Sequence, residues 1–96
     1  MILEAAVLYI KQGQSDQFES DFIKASQYIR LIPGYIKHTL QKCIEQDYKY
    51  LLLVEWEKLE DHTIGFRQSE VYNNWKELLH HYYEPFPIVE HFQTVH

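Results

Sequence analysis

Five consecutive apolar residues, Tyr50-Leu51-Leu52-Leu53-Val54, sit inside a run from Lys49 to Glu57 that has the length of one strand. Strand alternation puts Tyr50, Leu52, Val54 and Trp56 on one face and Leu51 and Leu53 on the other. Such a strand has to be covered on both sides. Helices supply one cover, but an antiparallel sheet with helices on one side normally keeps its other face polar. Leu51 and Leu53 therefore call for a second sheet, which a second copy of the chain can supply by stacking face to face.

The segments around this strand give the order of elements. Residues 2 to 11 alternate as a strand, with Leu3, Ala5, Val7 and Tyr9 on one face, and Lys11-Gln12-Gly13-Gln14 ends it. Phe18, Phe22, Ala25, Ile29 and Ile32 then recur at helical spacing. Ser15 or Asp16 precedes them as N-cap, Asp16 and Glu19 have the capping-box spacing, and Pro33-Gly34 stops the helix. Residues 35 to 45 and 49 to 57 read as strands joined by a turn at Gln46-Asp47-Tyr48. Residues 59 to 66 read as a helical turn, after which Ser69 caps a helix running to about Tyr83 with Val71, Trp75, Leu78, Leu79 and Tyr82 inward. Pro85 and Pro87 end it, and residues 88 to 95 form the last strand. The order β-α-β-β-α-β predicts an α+β, ferredoxin-like split βαβ fold: a four-stranded antiparallel sheet with both helices on one face, in one domain spanning residues 1 to 96.

Composition supports the need for a partner subunit. A domain of 96 residues buries little more than about 60% of its unfolded surface alone. Eight Tyr, five Phe and two Trp are more large apolar surface than so small a core hides, so some is expected at a homodimer interface. Fourteen acidic and nine basic residues, spread without runs, give a net charge of −5 and no basic stripe for a phosphate backbone, so nucleic acid is not an expected partner. Cys43 is the only cysteine, which excludes an intramolecular disulfide and fits a reducing compartment. No apolar run approaches the roughly 18 residues of a membrane span and Met1-Ile2-Leu3-Glu4 has no basic n-region, so a cytoplasmic protein is expected.

Six residues can line a pocket between the sheet and the helices: Trp56, His62, Phe66, Tyr72, Trp75 and His91. Aromatic residues with a few titratable groups are the makeup of a small-molecule site, although Trp75 and Tyr82 at helical spacing, and Trp56 beside Val54, equally fit a plain core. His62, after Glu60 and Asp61, can act as a base near neutral pH or hydrogen-bond a backbone carbonyl. His91 sits mid-strand beside Glu90 with Val89 and Val95 on its face, so it is expected to be enclosed and in need of a partner. His38, between Ile36 and Leu40, reads as a satisfied or rim histidine. His80 and His81 point about 100° apart on a helix and cannot share one ion, so capping or solvation explains them. No HExxH, CxxC or 2-His-1-carboxylate spacing appears, and the three glycines, Gly13, Gly34 and Gly65, form no phosphate loop, so neither a metal nor a cofactor is expected.

The order of residues from 52 to 92 adds a family resemblance. Val54-Glu55-Trp56-Glu57 leads into Leu59-Glu60-Asp61-His62, then Gly65-Phe66-Arg67, Ser69, Tyr72, Trp75, and finally Pro87, Glu90 and His91. This resembles the antibiotic biosynthesis monooxygenase domain, and Ile32-Pro33-Gly34-Tyr35 and the Phe18/Phe22 helix extend the likeness to the front of the chain. The resemblance implies a dimeric α+β barrel. Some relatives cleave haem with a histidine on the second long helix and a tryptophan before it; alignment on Ser69-Glu70-Val71-Tyr72 puts Lys76 and Phe66 at those places, which argues against haem. Others oxidise electron-rich aromatics without metal, flavin or nicotinamide. By that resemblance the chain is a cofactor-independent monooxygenase that oxidises a small phenolic, quinol or polyketide-type aromatic with O2. His62 or His91 would be the catalytic base, Tyr72 and Trp75 the donors, and Phe66 and Trp56 the walls. A non-catalytic barrel that binds a small molecule, or an isomerase or detoxifying enzyme on the same scaffold, would use the same pocket.

Overall fold

The computed structural model describes residues 1–96. Strand β1 (Ile2–Tyr9) leads to helix α1 (Ser15–Ile29), strands β2 (Tyr35–Lys42) and β3 (Lys49–Trp56), a π-helical turn at Asp61–Phe66, helix α2 (Glu70–Leu79), a 3-10 turn at His80–Tyr82, and strand β4 (Val89–Phe92). The strands form one antiparallel sheet in the order β2-β3-β1-β4. This is the ferredoxin-like topology expected from the alternation of periods. The last strand is shorter than the expected 88 to 95, and the second stops at Lys42 rather than 45.

Alternation sorts the sheet into two faces. Glu4, Ala6 and Leu8 of β1 and Tyr50, Leu52, Val54 and Trp56 of β3 are buried beneath the helices. Leu3, Ala5, Val7 and Tyr9 do share a face, but it is the one turned away from the helices, together with Leu51 and Leu53. The inward face of β1 therefore starts with an acid, Glu4, which is only 5% exposed.

Helix α1 buries Phe18, Phe22, Ala25 and Ile29, the expected stripe. The expected capping does not form. Position Gln14 caps without a side-chain bond, because Ser15 Oγ donates instead to the Asp47 carbonyl, and Glu19 accepts from the Tyr50 hydroxyl and from Lys42 Nζ. These residues pin the helix to the β2–β3 hairpin rather than closing its own first turn. Around Phe18 the core is close-packed, with the rings of Tyr50 and Tyr82 edge-on at centroid distances of 5.0 and 5.6 Å.

Helix α2 begins as expected, with Ser69 Oγ accepting from the Tyr72 N–H at 3.2 Å. It ends at Leu79, earlier than Tyr83, and the 3-10 turn carries Tyr82 into the core. Between sheet and helix the chain makes its widest turn: the Arg67 N–H reaches the His62 carbonyl, five residues back. That turn places His62 and Phe66 on the same inward side, 3% and 2% exposed. Gly34, at φ +92°, lies just before β2 where this segment leaves the sheet, its carbonyl accepting the Glu57 N–H. A Cβ there would fall 2.0 Å from Asp61 Oδ2, and Asp61 is occupied in accepting the Lys58 N–H.

Candidate active site

Sheet register assembles the site from three distant parts of the chain. Glu4 lies opposite His91 across the β1–β4 pair and diagonal to Trp56 across β1–β3, where Ile2 faces Trp56. Cross-strand and diagonal neighbours on one face are within reach of long side chains. Trp56 Nε1–H donates to Glu4 Oε1 at 2.9 Å. The π-helical turn lowers His62 onto them, its ring stacked on Trp56 at 5.5 Å and 19°. His62 Nε2 is 3.4 Å from Glu4 Oε1, and its Nδ1 is 2.8 Å from His91 Nε2. The result is a continuous line Trp56, Glu4, His62, His91.

A cavity of ≈ 420 Å³ opens beside this line, a size suited to a small aromatic molecule. Glu4 and His62 form its polar corner. Phe66, Tyr72 and Trp75 form its aromatic wall, and Arg67, His80 and Phe86 belong to its rim and sides. Of the six expected pocket residues, His62, Phe66, Tyr72 and Trp75 face this space. Trp56 and His91 do not: Trp56 is fully buried behind the His62 ring, and His91 lies on its far side. Nor is His91 enclosed as expected. It is half-buried because β4 is an edge strand, and Val95, expected to share its face, lies beyond the strand end and is 98% exposed. His38 is elsewhere, paired through Nδ1 with the Tyr35 hydroxyl.

The electrostatics of the corner follow from burial. Glu4 has no Lys or Arg within ion-pair distance, and desolvation pushes its carboxyl up to about 7, against the smaller opposing pulls of the Trp56 N–H and the Arg67 charge. The same desolvation, with Arg67 and His91 nearby, lowers His62 to about 3. The two shifts agree with each other. A carboxyl that stays protonated through the acid range offers no fixed negative charge to an adjacent imidazolium, so both groups rest neutral between about pH 3 and 7. His80 is likewise lowered by burial, to about 4, and burial raises Tyr72.

A carboxylate beside two histidines invites comparison with a metal site, but the geometry differs. The two ring nitrogens of His62 point to opposite partners, Glu4 and His91, so the three side chains do not converge on one point.

A family model for antibiotic biosynthesis monooxygenase matches residues 1–78. The chain belongs to the antibiotic biosynthesis monooxygenase family. It is 58% identical over 95 residues to the uncharacterised protein YczJ of Bacillus subtilis (strain 168), covering 99% of this chain and 100% of YczJ. A Bordetella bronchiseptica crystal structure named for the same family shares 30% identity at a TM-score of 0.93, over 98% of this chain and 96% of that one. SnoaB, a cofactor-independent oxygenase from Streptomyces nogalater, shares the fold at a TM-score of 0.86 with 16% identity, over 99% of this chain and 93% of that one.

Glu4, Arg67 and His80 are among the residues of this family member's cavity that the sequence did not point to. Glu4 reads as an ordinary acid near a chain end, yet two-residue periodicity with Ala6 and Leu8 puts it on the helix-facing side, and that was the available signal. His80, adjacent to His81 on an expected helix, reads as a capping or solvated residue. The 3-10 turn separates them, leaving His81 exposed and turning His80 to the cavity.

Proposed function

We propose that this family member is a monooxygenase that oxidises a small phenolic, quinol or polyketide-type aromatic with O2. The observation that carries the reading is the ≈ 420 Å³ cavity with an aromatic wall and one polar corner of proton-exchanging groups. Triplet O2 does not insert directly into a closed-shell aromatic. A substrate deprotonated in a dry cavity becomes reducing enough to pass O2 one electron, and the resulting radical and superoxide combine at carbon as a peroxide. Where that carbon is a ring CH2, as in an anthrone, the peroxide takes back the proton and loses water to leave C=O. One oxygen atom ends in the product and one in water, and the substrate supplies all four electrons. In this reading His62 and His91 handle the proton, Phe66, Tyr72 and Trp75 hold the ring, and Trp56 fixes the His62 plane.

The protein is read as one domain over residues 1–96 working in the cytoplasm as a homodimer. Support for the dimer is the outer sheet face, where Val7, Leu51 and Phe92 are 39%, 36% and 51% exposed. Sedimentation at micromolar concentration should give about twice 11.7 kDa, and Leu53→Glu should weaken the assembly. The activity test is O2 uptake by the purified protein with 1,8-dihydroxyanthrone, corrected for spontaneous oxidation. The reading expects saturable uptake that His62→Ala lowers by about 10²- to 10⁴-fold. Uptake no faster than the uncatalysed rate would reject it.

A further inference from the structure

Glu4 is the one acid of the cavity, and its surroundings are hard to explain as architecture. A structural carboxylate buried to 5% exposure is ordinarily paired with a cation, because an unpaired buried charge is unfavourable. Here its nearest partners are a neutral indole and an imidazole. Satisfying the Trp56 N–H needs only a neutral acceptor, which an amide would provide without burying an acid. Trp56 occupies one oxygen, and no buried polar side-chain atom is left without a partner. The other carboxyl oxygen is therefore accessible, and the surface Glu4 contributes to is the cavity wall.

We propose that Glu4 is the catalytic residue that takes the hydroxyl proton of a phenolic substrate, with His62 and His91 as positioning residues that hold its carboxyl and connect it to solvent. This rests on the oxygenase reading above and names the base within it. In the step, the substrate O–H bond, which for an anthrone is that of its enol tautomer, breaks, an O–H bond forms on the free Glu4 oxygen, and a phenolate remains in the cavity. The charge moves from carboxylate to substrate without changing in total. Arg67, which forms no ion pair in the protein, is the cation beside the cavity that favours the phenolate. The proton on Glu4 is then available to the peroxide that later loses water.

The groups facing Glu4 set how it titrates. His62 comes from the π-helical turn, Arg67 from the residue that closes that turn, His91 from β4, and Tyr72, His80 and Tyr83 from α2 and the segment after it. His62 and His80 are neutral at pH 7 and burial raises both tyrosines, so Arg67 is the charge that acts on Glu4 there. Its carboxyl, pushed up to about 7, is partly ionised at neutral pH, the condition in which a base both holds and releases a proton well.

The test compares wild type, Glu4→Gln and Glu4→Asp in O2 uptake with 1,8-dihydroxyanthrone from pH 5.5 to 8.5, with circular dichroism to verify folding. Glu4→Gln keeps an oxygen for Trp56 but accepts no proton, and Glu4→Asp keeps the acid but withdraws it by one methylene. The proposal expects Glu4→Gln to lose at least about 10²-fold in kcat and to lose the acid limb of the wild-type pH profile. Glu4→Asp should fall between the two with the limb retained. His62→Gln should shift the limb rather than abolish it. An active wild type with a folded Glu4→Gln variant within a few-fold of it overturns the assignment of Glu4 and leaves the oxygenase reading standing. A wild type that oxidises no phenol overturns both.

Discussion

Aromatic donors meet carboxylates at both ends of the helix–sheet layer, with different results. At one end the Tyr50 hydroxyl donates to Glu19 and the Tyr82 hydroxyl to Asp21, both acids on α1. At the other the Trp56 N–H donates to Glu4. Glu19 lies at the surface, 44% exposed at its side chain, and the Tyr50 bond draws its carboxyl below the ordinary value. Glu4 has the same kind of bond, but burial outweighs it and raises the carboxyl to about 7. A hydrogen bond to the charged form is worth less than the hydration lost on burial, so depth decides which acid is structural and which is chemically useful.

The largest expected effect belongs to the packed end. Phe18→Ala removes a fully buried ring from contact with Phe22, Tyr50 and Tyr82 and should destabilise the fold by about 3–5 kcal/mol in urea unfolding. A loss below about 1 kcal/mol would mean that end is not the close-packed one.

Next comes the linkage at Glu4. Its folded value of about 7 exceeds the unfolded 4.5, so the folded state keeps a proton that the unfolded state sheds, and stability falls as pH climbs from 4.5 to 7. The penalty is on the order of 3 kcal/mol, fully present above pH 7 and absent below 4.5. Glu4→Gln removes it. The variant should therefore gain stability over wild type between pH 4.5 and 8 in chemical denaturation. His62 contributes with the opposite slope, since its lowered value costs stability as pH falls from 6.5 toward 3.

Gly34→Ala tests the support under the site. It combines a left-handed backbone with a Cβ 2.0 Å from Asp61 Oδ2, and a loss of about 2 kcal/mol in urea unfolding is expected. The smallest effect is at the exposed acid. Glu19→Gln should cost less than about 1 kcal/mol at pH 7, because the pair is screened by solvent; the difference should shrink as pH falls through 4.5, where the unfolded state takes up its proton first, and vanish only below the lowered folded value, where Glu19 is protonated in both states.

How much of this the sequence disclosed depends on the period of each element. Phe18, Phe22, Ala25 and Ile29 recur at helical spacing and Tyr50 to Trp56 at strand spacing, so the layer and its core were legible, as was the Ser69 cap. Trp56, His62, Phe66, Tyr72 and Trp75 were recognisable as one neighbourhood from the ordered family residues, and they do gather. Glu4 was not, because its place depends on pairing with β3 and β4, some fifty and ninety residues away, which no local window contains. Asp16 and Glu19 had the spacing of a capping box, but a tertiary donor, the Tyr50 hydroxyl, took Glu19 away from it. His80 turned inward only because α2 tightens into a 3-10 turn at that residue.

The contrast between the two acids can be measured directly by following side-chain carboxyl carbon shifts in protein carrying 13C-labelled glutamate, with Glu4 and Glu19 assigned through their Gln variants. The account predicts that Glu4 titrates with a midpoint near 7 while Glu19 titrates below 4.5. A Glu4 midpoint at or below 5 would contradict it, since the cavity would then hold a permanently ionised carboxylate and no group poised to exchange a proton near neutral pH.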